Sequence, residues 1–299
     1  MEKKDYLIRA MLGANQARVI ALRTTGVVQE AQKVHGTTPV ATAALGRTLT
    51  MGLVLGAMLK AEETLTIQIK GEGPLGGIVV VANSRGQVKG YVGNPEVDLP
   101  LNAAGKLAVG EAVGPGYLHV IRDMGLKEPY HGTVPLQNGE IGEDFAYYFA
   151  VSEQTPSAVM VGVLVGVDGV PLGSGGIVVQ LMPDAMDDDL FISSLEERLQ
   201  GMTQVSSLFA GDRSPEEIVS DVFSGLELRY LDRQEVQFHC DCSRERFERG
   251  LVALGREELQ EMAAKGEPVE VICHFCNRQY AFSVDDLDKL LQELGNTRA

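Results

Sequence analysis

Apolar and polar residues alternate in short runs over the first 180 positions, and this period of two is typical of half-buried β-strands. Residues 64–70 alternate strictly, and residues 78–81 form a continuous apolar run. The same criteria predict further strands at residues 117–122, 145–151, 160–167 and 176–181. Turn residues at 83–86 and at Asp168–Gly169 predict hairpins. We therefore expect a β-sheet core in this part of the chain.

A longer apolar segment, residues 39–59, predicts a helix. Thr38 followed by Pro39 supplies an N-cap residue and a proline at the first helical position. About twenty mostly apolar residues could also span a membrane. Arg47 and three glycines interrupt the segment, however, and they favour a buried helix against which a sheet packs closely.

A glycine-rich stretch at residues 71–76, Gly-Glu-Gly-Pro-Leu-Gly, matches the G-x-G-x-x-G pattern of dinucleotide-binding loops. Such a loop must open a helix whose first N–H groups contact the phosphates. Here a predicted strand follows at residues 78–81, and Pro74 has no N–H to donate. We interpret the stretch as a hairpin connection.

The pattern changes at Asp184 to short amphipathic helices. Four apolar residues recur there at helical spacing: Leu190, Phe191, Leu195 and Leu199. Ser214 and Glu217 form a capping box around Pro215 and predict the start of another helix. Helices shorter than about 12–15 residues are marginal in water, so these must dock their apolar faces on a partner. We expect the tail of the chain to be one such partner.

The tail contains all four cysteines of the chain, Cys240 and Cys242 as C-x-C and Cys273 and Cys276 as C-x-x-C. Two close pairs of thiolates can surround one tetrahedral zinc ion at about 2.3 Å. Four thiolates would close the coordination sphere, which argues against hydrolytic or deaminase chemistry. Since His239 and His274 each adjoin a cysteine, a mixed site with one histidine remains the alternative.

Helices are also predicted around the cysteines. Ser243 is a candidate cap for a helix through Phe247 and Leu251, residues 256–264 form a second helical segment, and Ser283 to Asp286 open a terminal helix. The 30 residues between the two cysteine pairs suffice for two short helices and one hairpin strand. A core this small is weak without an ion.

Charge limits the possible partners. The 299-residue chain has a net charge of −15, and residues 184–228 hold 11 acidic and two basic residues, a net −9. Residues 229–299 hold 14 acidic and 10 basic residues, a net −4. A nucleic-acid-binding zinc domain needs the opposite balance. The first 16 residues include no apolar run of signal-peptide length, so we expect a cytoplasmic protein without nucleic-acid or membrane partners.

Several stretches, together with the cysteine spacing, resemble the redox-regulated thirty-three-kilodalton heat-shock chaperone family of the bacterial cytosol. The resemblance spans nearly the whole chain. Its most specific parts are residues 152–157 (Ser-Glu-Gln-Thr-Pro-Ser), 175–183, 238–242 and 271–276.

The resemblance implies a holdase that is inactive while reduced and bound to one zinc ion through Cys240, Cys242, Cys273 and Cys276. It implies activation by oxidation, when Cys240 pairs with Cys242 and Cys273 pairs with Cys276, the ion is released and the active form becomes a homodimer. Loss of the ion should unfold the tail, because structural zinc contributes about 10–16 kcal/mol. The helices from residue 184 would then expose their apolar faces.

Composition and resemblance together predict an α+β fold in three parts: an α/β core domain at 1–180, a helical metastable linker at 181–231, and a zinc-binding redox-switch domain at 232–299. The expected function is ATP-independent binding of unfolding client proteins during oxidative stress. A constitutive zinc-stabilised protein-interaction protein is the alternative. An enzyme is not expected, because no nucleophile, base and orienting group can be assembled from the motifs. The five histidines follow no catalytic pattern: His35, His119, His131, His239 and His274.

Overall fold

The computed structural model describes residues 4–60, 62–200, 202, 205–211 and 213–296. The chain forms two compact units, Met1–His239 and Cys240–Ala299. The fold is α+β, as the sequence predicts. The sequence predicts a domain boundary after residue 231, but this residue lies within a strand of the first unit, Leu228–Glu235. The boundary between the two compact units follows His239.

Two antiparallel-dominated sheets form the first unit. Its strands are β1 (Tyr6–Leu12), β2 (Ala17–Arg23), β3 (Thr64–Gly71), β4 (Ile78–Asn83), β5 (Gln87–Val92), β6 (Gly116–Asp123), β7 (Tyr130–Pro135), β8 (Ser157–Val165), β9 (Pro171–Leu181), β10 (Leu228–Glu235) and β11 (Gln237–Phe238). One sheet has the order β10-β1-β2-β9-β8, and the other has the order β11-β5-β4-β3-β6-β7. Among the strands of the described residues, only the short β11 pairs in parallel, with β5.

The helices of this unit are α1 (Thr25–His35), α2 (Pro39–Gly56), α3 (Val109–Val113), α4 (Gly142–Val151), α5 (Asp189–Gln200), α6 (Val205–Phe209) and α7 (Pro215–Val222). The strands predicted at 64–70, 78–81, 117–122, 160–167 and 176–181 are confirmed. So are both hairpin turns, where Gly86 and Gly169 adopt positive φ. Residues 71–76 connect the antiparallel β3 and β4, so the interpretation as a hairpin connection is also confirmed.

The predicted buried helix is α2, which lies between the two sheets. Nearly every residue of it is buried. A Cβ atom added at Gly46 would come within 2.8 Å of Val163 on β8, and one added at Gly52 within 2.8 Å of Val80 on β4. These glycines therefore allow both sheets to approach the helix closely. Within the described residues, no helix combines the length and apolar character needed to cross a membrane.

The prediction of a strand at residues 145–151 is wrong, because these residues belong to α4. Phe145, Tyr148 and Phe149 have the i, i+3, i+4 spacing of one helical face, and that face is buried. The buried carboxylate of Asp144 accepts N–H bonds from the preceding loop, including that of Ile141 at 2.9 Å. Aromatic residues favour strands on propensity, but burial of this face decides the outcome.

Helices α5, α6 and α7 of the acidic segment 184–228, called the acidic helices below, dock on the five-stranded sheet, on the face opposite α2. The buried side chains of these helices and of the residue that follows α7 share one core with residues of β1, β2 and β9: Phe191, Leu195, Phe209, Ile218, Val219 and Phe223. Ser214 caps α7 by accepting the N–H of Glu217, as the capping box predicts. Arg23 at the end of β2 donates to the carbonyl oxygen of Gly211 at 2.9 Å. The sheet therefore supplies a partner that these short helices require.

A buried carboxylate holds the start of α1. Asp5 accepts the N–H of Val27 at 2.8 Å, whereas the N-cap residue Thr24 makes no side-chain cap bond. Burial raises the pKa of Asp5 to about 6, although the bond to Val27 and the charge of Arg23 oppose the rise. The folded chain therefore binds this proton more tightly than the unfolded chain, whose Asp5 has a pKa near 3.8.

Asp5 should consequently make the stability of the first unit depend on pH. Its contribution is fully present below about pH 4 and is lost as the pH rises through about 6. Acidification from pH 7 to pH 5 should raise the free energy of unfolding of the wild type relative to Asp5→Asn by on the order of 1 kcal/mol. Urea titrations of both reduced proteins at the two pH values measure this difference. Equal pH dependence of the two proteins would contradict the assignment.

The second unit consists of α8 (Arg244–Leu254), α9 (Arg256–Ala264), β12 (Val269–Ile272), β13 (Gln279–Phe282) and α10 (Val284–Asn296). Strands β12 and β13 form an antiparallel hairpin. Ser243 and Ser283 cap α8 and α10, which confirms the predicted helix starts. Among the described residues, its apolar core has only five buried members: Leu251, Leu259, Phe282, Leu287 and Leu290.

Candidate metal centre

The four cysteines of the second unit lie together, with all four Sγ atoms within 4.8 Å of one another. Sγ of Cys240 is 3.7 Å from that of Cys273, and Sγ of Cys242 is 3.3 Å from that of Cys276. A tetrahedral ion with sulfur ligands at about 2.3 Å separates those sulfurs by about 3.8 Å. Both contacts join one motif to the other, so the two pairs can surround a common centre.

Local backbone structure positions the second pair. The turn between β12 and β13 is closed by N–H bonds from Cys276 and Asn277 to the carbonyl oxygen of Cys273, at 3.2 and 2.7 Å. Asn277 adopts a left-handed conformation with φ of 55°, which asparagine tolerates better than most residues. The C-x-x-C spacing therefore places both sulfurs on one tight turn.

The first pair precedes α8 and is held at its helical end. Ser243 caps the helix directly after Cys242. Between the two cysteines, Asp241 forms an ion pair with Arg246 of the first helical turn at 2.9 Å. A second arginine, Arg244, contacts Asp286 at 2.8 Å and lies over the ring of Phe282. These contacts fix the segment that contains the C-x-C motif.

The pKa values of the cysteines indicate that the four thiols can ionise together only when a cation is bound among them. Burial raises the pKa of the Cys240 and Cys276 thiols. Burial also opposes ionisation of Cys242, but hydrogen bonds from Tyr280 and the neighbouring thiols lower its pKa to about 7. Neighbouring thiolates repel one another, so the four cannot all ionise without positive charge among them. A soft divalent cation supplies that charge, and sulfur is the ligand such ions prefer.

Histidine takes no part in this cluster. Across the part of the chain that the structure describes, the four cysteines alone form a group with metal-ligand spacing. Neither His239 nor His274 belongs to it, so the mixed site left open by the sequence has no geometric support. The residues fit an all-sulfur metal site, and four sulfur ligands would leave no position for water or substrate.

The four cysteines differ in their exposure. Cys273 is buried, whereas Cys240, Cys242 and Cys276 are half-buried, and all four are free thiols. Thiolate oxidation depends on exposure as well as ionisation.

The structure adds Tyr280, a residue that the sequence did not indicate. Its hydroxyl lies 3.2 Å from Sγ of Cys242 and 3.1 Å from the carbonyl oxygen of the same residue. In the sequence, Tyr280 is one aromatic residue of a hairpin strand. Nothing in the spacing marks its hydroxyl as a partner of a cysteine 38 residues earlier.

Known proteins resemble this chain over almost its entire length. A family profile described as "Hsp33 protein" matches residues 5–283. The 33 kDa chaperonin of Desulforamulus reducens is 47% identical over 291 residues, which cover 97% of this chain and 98% of that protein. The 33 kDa chaperonin of Bacillus mycoides is 48% identical over 292 residues, which cover 97% and 100%. The crystal structure of the 33 kDa chaperonin (heat shock protein 33 homolog) from Thermotoga maritima superimposes with a TM-score of 0.89 at 36% identity, covering 98% and 100%.

Proposed function

The chain belongs to the Hsp33 family of chaperones, and from that premise we propose that it is a redox-regulated, ATP-independent holdase. It binds unfolding client proteins when oxidised and is inactive when reduced. The observation that supports the switch most directly is the cluster of four free thiols within 4.8 Å of one another. The proposed setting is the cytoplasm during oxidative stress, and the proposed active form is a homodimer.

In the reduced state, we assign one zinc ion to Cys240, Cys242, Cys273 and Cys276. When bound, the ion holds these sulfurs as thiolates and closes their coordination sphere. The thiolate is the form that oxidants attack. A centre that stabilises the fold can therefore also report the presence of an oxidant.

Oxidation would convert the four thiolates into two disulfides, Cys240 with Cys242 and Cys273 with Cys276. For each disulfide, two thiolates lose two electrons as the S–S bond forms. One peroxide gains them, takes up two protons and breaks its O–O bond to give two water molecules. In the reduced cluster Cys240 contacts Cys273 and Cys242 contacts Cys276, so pairing within each motif breaks these contacts between the motifs.

Loss of the sulfur ligands would unfold the second unit. Structural zinc sites contribute about 10–16 kcal/mol, which matches or exceeds the total stability of a typical domain at about 5–15 kcal/mol. The small apolar core of this unit cannot supply the stabilisation that is lost with the zinc ion.

Release of the acidic helices would follow from their position in the chain. Residues from α7 lead through β10 and β11 directly to Cys240. β10 is an edge strand that is mostly exposed, and β11 pairs through only two residues. Local opening starts at weakly held segments such as β11, whereas β10 pairs with β1 at seven positions. Once detached, α5 to α7 would present apolar side chains on a segment whose negative charge opposes self-aggregation.

The test couples the metal to the activity. Across a titration with peroxide at mildly elevated temperature, zinc release and suppression of client aggregation should rise together, ending near one ion per chain. A zinc-sensitive dye and light scattering by a heat-unfolding client measure the two quantities. If the oxidised, zinc-free protein failed to suppress aggregation, the holdase proposal would be abandoned. Equal suppression before and after oxidation would support the constitutive interaction protein instead.

A further inference from the structure

We propose that the hydroxyl of Tyr280 is a positioning group that sets the resistance of the metal centre to oxidants, through its hydrogen bond to the sulfur of Cys242. The inference rests on the proposed metal centre. According to this inference, a residue that is not a metal ligand controls how readily the centre is oxidised and releases its ion.

The contact connects the two halves of the site. Tyr280 lies on β13, after the C-x-x-C turn, whereas Cys242 is the last cysteine of the C-x-C motif. Its hydroxyl reaches both Sγ of Cys242, at 3.2 Å, and the carbonyl oxygen of Cys242, at 3.1 Å. One side chain thus ties the sulfur and the backbone of the first pair to the hairpin that contains the second.

The ring of Tyr280 is held in place by packing. Its centroid lies 4.8 Å from that of Phe247 on α8, and the side chain packs partly buried against the apolar core of the second unit. A hydroxyl on a fixed ring is pre-organised for its acceptor, so the bond needs little additional ordering. The position of the donor is therefore a property of the fold.

The single hydroxyl proton has two possible acceptors, and the charge on sulfur decides between them. A ligated thiolate is the stronger acceptor, so the hydroxyl donates a charge-assisted bond to Sγ of Cys242. Donation withdraws electron density from the sulfur and lowers its nucleophilicity towards an oxidant. In a disulfide the sulfur is uncharged and is a much weaker acceptor than a thiolate. The thiolate bond is lost on oxidation, which makes oxidation less favourable.

A nearby cation strengthens this arrangement. Arg278, two residues before Tyr280 on the same hairpin, is near enough for its positive charge to act on Cys242, Cys276 and Tyr280. A guanidinium beside a phenol makes the hydroxyl a better donor. Outer partners of this kind typically change metal affinity about 10–100-fold when they are removed.

The experiment compares Tyr280→Phe with the wild type in the full-length reduced protein. Tyr280→Phe keeps the ring and removes only the hydroxyl. We expect zinc affinity, measured by chelator competition, to fall about tenfold, and zinc release by excess peroxide to become several-fold faster. In the cobalt(II)-substituted protein, the sulfur-to-metal charge-transfer band should move to longer wavelength, because the unbonded thiolate gives up its electrons more easily.

Phe247→Leu is the matched control, since it loosens the packing of Tyr280 without removing the hydroxyl. Its charge-transfer band should stay at the wild-type position even where its stability falls. An unchanged band and an unchanged release rate in Tyr280→Phe would overturn the inference, and so would the same band shift in Phe247→Leu. All three readouts are independent of chaperone activity. A wild type that releases zinc without suppressing aggregation therefore rejects only the proposed function, whereas a wild type that binds no metal rejects both.

Discussion

Replacing Cys273 by serine is expected to abolish stoichiometric zinc binding and to unfold residues 240–296 even in the reduced protein. Cys273 is the buried member of the cluster, and its backbone closes the turn between β12 and β13. Serine cannot supply the soft thiolate, and three remaining sulfurs leave the coordination sphere open. Most of the about 10–16 kcal/mol that a structural zinc site contributes should then be lost. The five-residue apolar core cannot compensate for this loss.

Metal analysis after gel filtration and limited proteolysis measure the two effects of Cys273→Ser. Cleavage sites should appear throughout residues 240–296 and, as the acidic helices detach, within residues 185–227, while the core around α2 stays resistant. His274→Ala is the control: it changes the residue next to Cys273 but no member of the sulfur cluster, so it should retain one zinc ion. Full zinc affinity in Cys273→Ser would remove Cys273 from the ligand set, and loss of zinc in His274→Ala would restore the mixed site.

Features that depend on neighbouring residues could be predicted from the sequence. The caps at Ser214, Ser243 and Ser283 each involve a residue three positions later, and all three occur in the structure. The cysteine cluster was also predictable, since the C-x-C and C-x-x-C spacings leave few alternatives to one shared centre. The capping signals hold because a helix start is decided within one turn.

Features that depend on distant partners could not be predicted. β10 is mostly exposed and has no alternating pattern, and it is a strand only because it pairs with β1, more than 200 residues earlier. The bond between Tyr280 and Cys242 likewise depends on the folded hairpin. Residues 145–151 show the converse case, in which the apolar pattern suggested a strand and tertiary burial selected a helix.

The docking of the acidic helices on the five-stranded sheet changes the expected route of activation. The sequence suggested that the tail is a partner of these helices. In the structure, the buried side chains of the helices pack against β1, β2 and β9 of the first unit. Weakening that contact should therefore release the helices while the metal centre stays intact. Activation would then be separable from oxidation.

We therefore expect the Phe209→Ala variant to suppress client aggregation while it is still reduced and bound to zinc. Phe209 is fully buried on the five-residue helix α6, and Gly175 of β9 leaves the space that its ring occupies. Removing a buried phenylalanine ring costs about 3–5 kcal/mol. A helix of this length has no stability of its own to offset the loss. The helices should detach, with cleavage within residues 185–227 under limited proteolysis and one zinc ion still bound.

Phe149→Ala controls for general destabilisation. Phe149 is equally buried, but it lies on α4 and packs in the core around α2 rather than under the acidic helices. Its replacement should lower the free energy of unfolding by a similar amount without producing suppression at temperatures where the protein stays folded. Suppression by both variants would indicate that any loosening of the first unit suffices. If the helices of the Phe209→Ala variant detach but client aggregation is not suppressed, the exposed apolar faces of the helices are not sufficient to bind clients. Clients would then bind elsewhere on the chain.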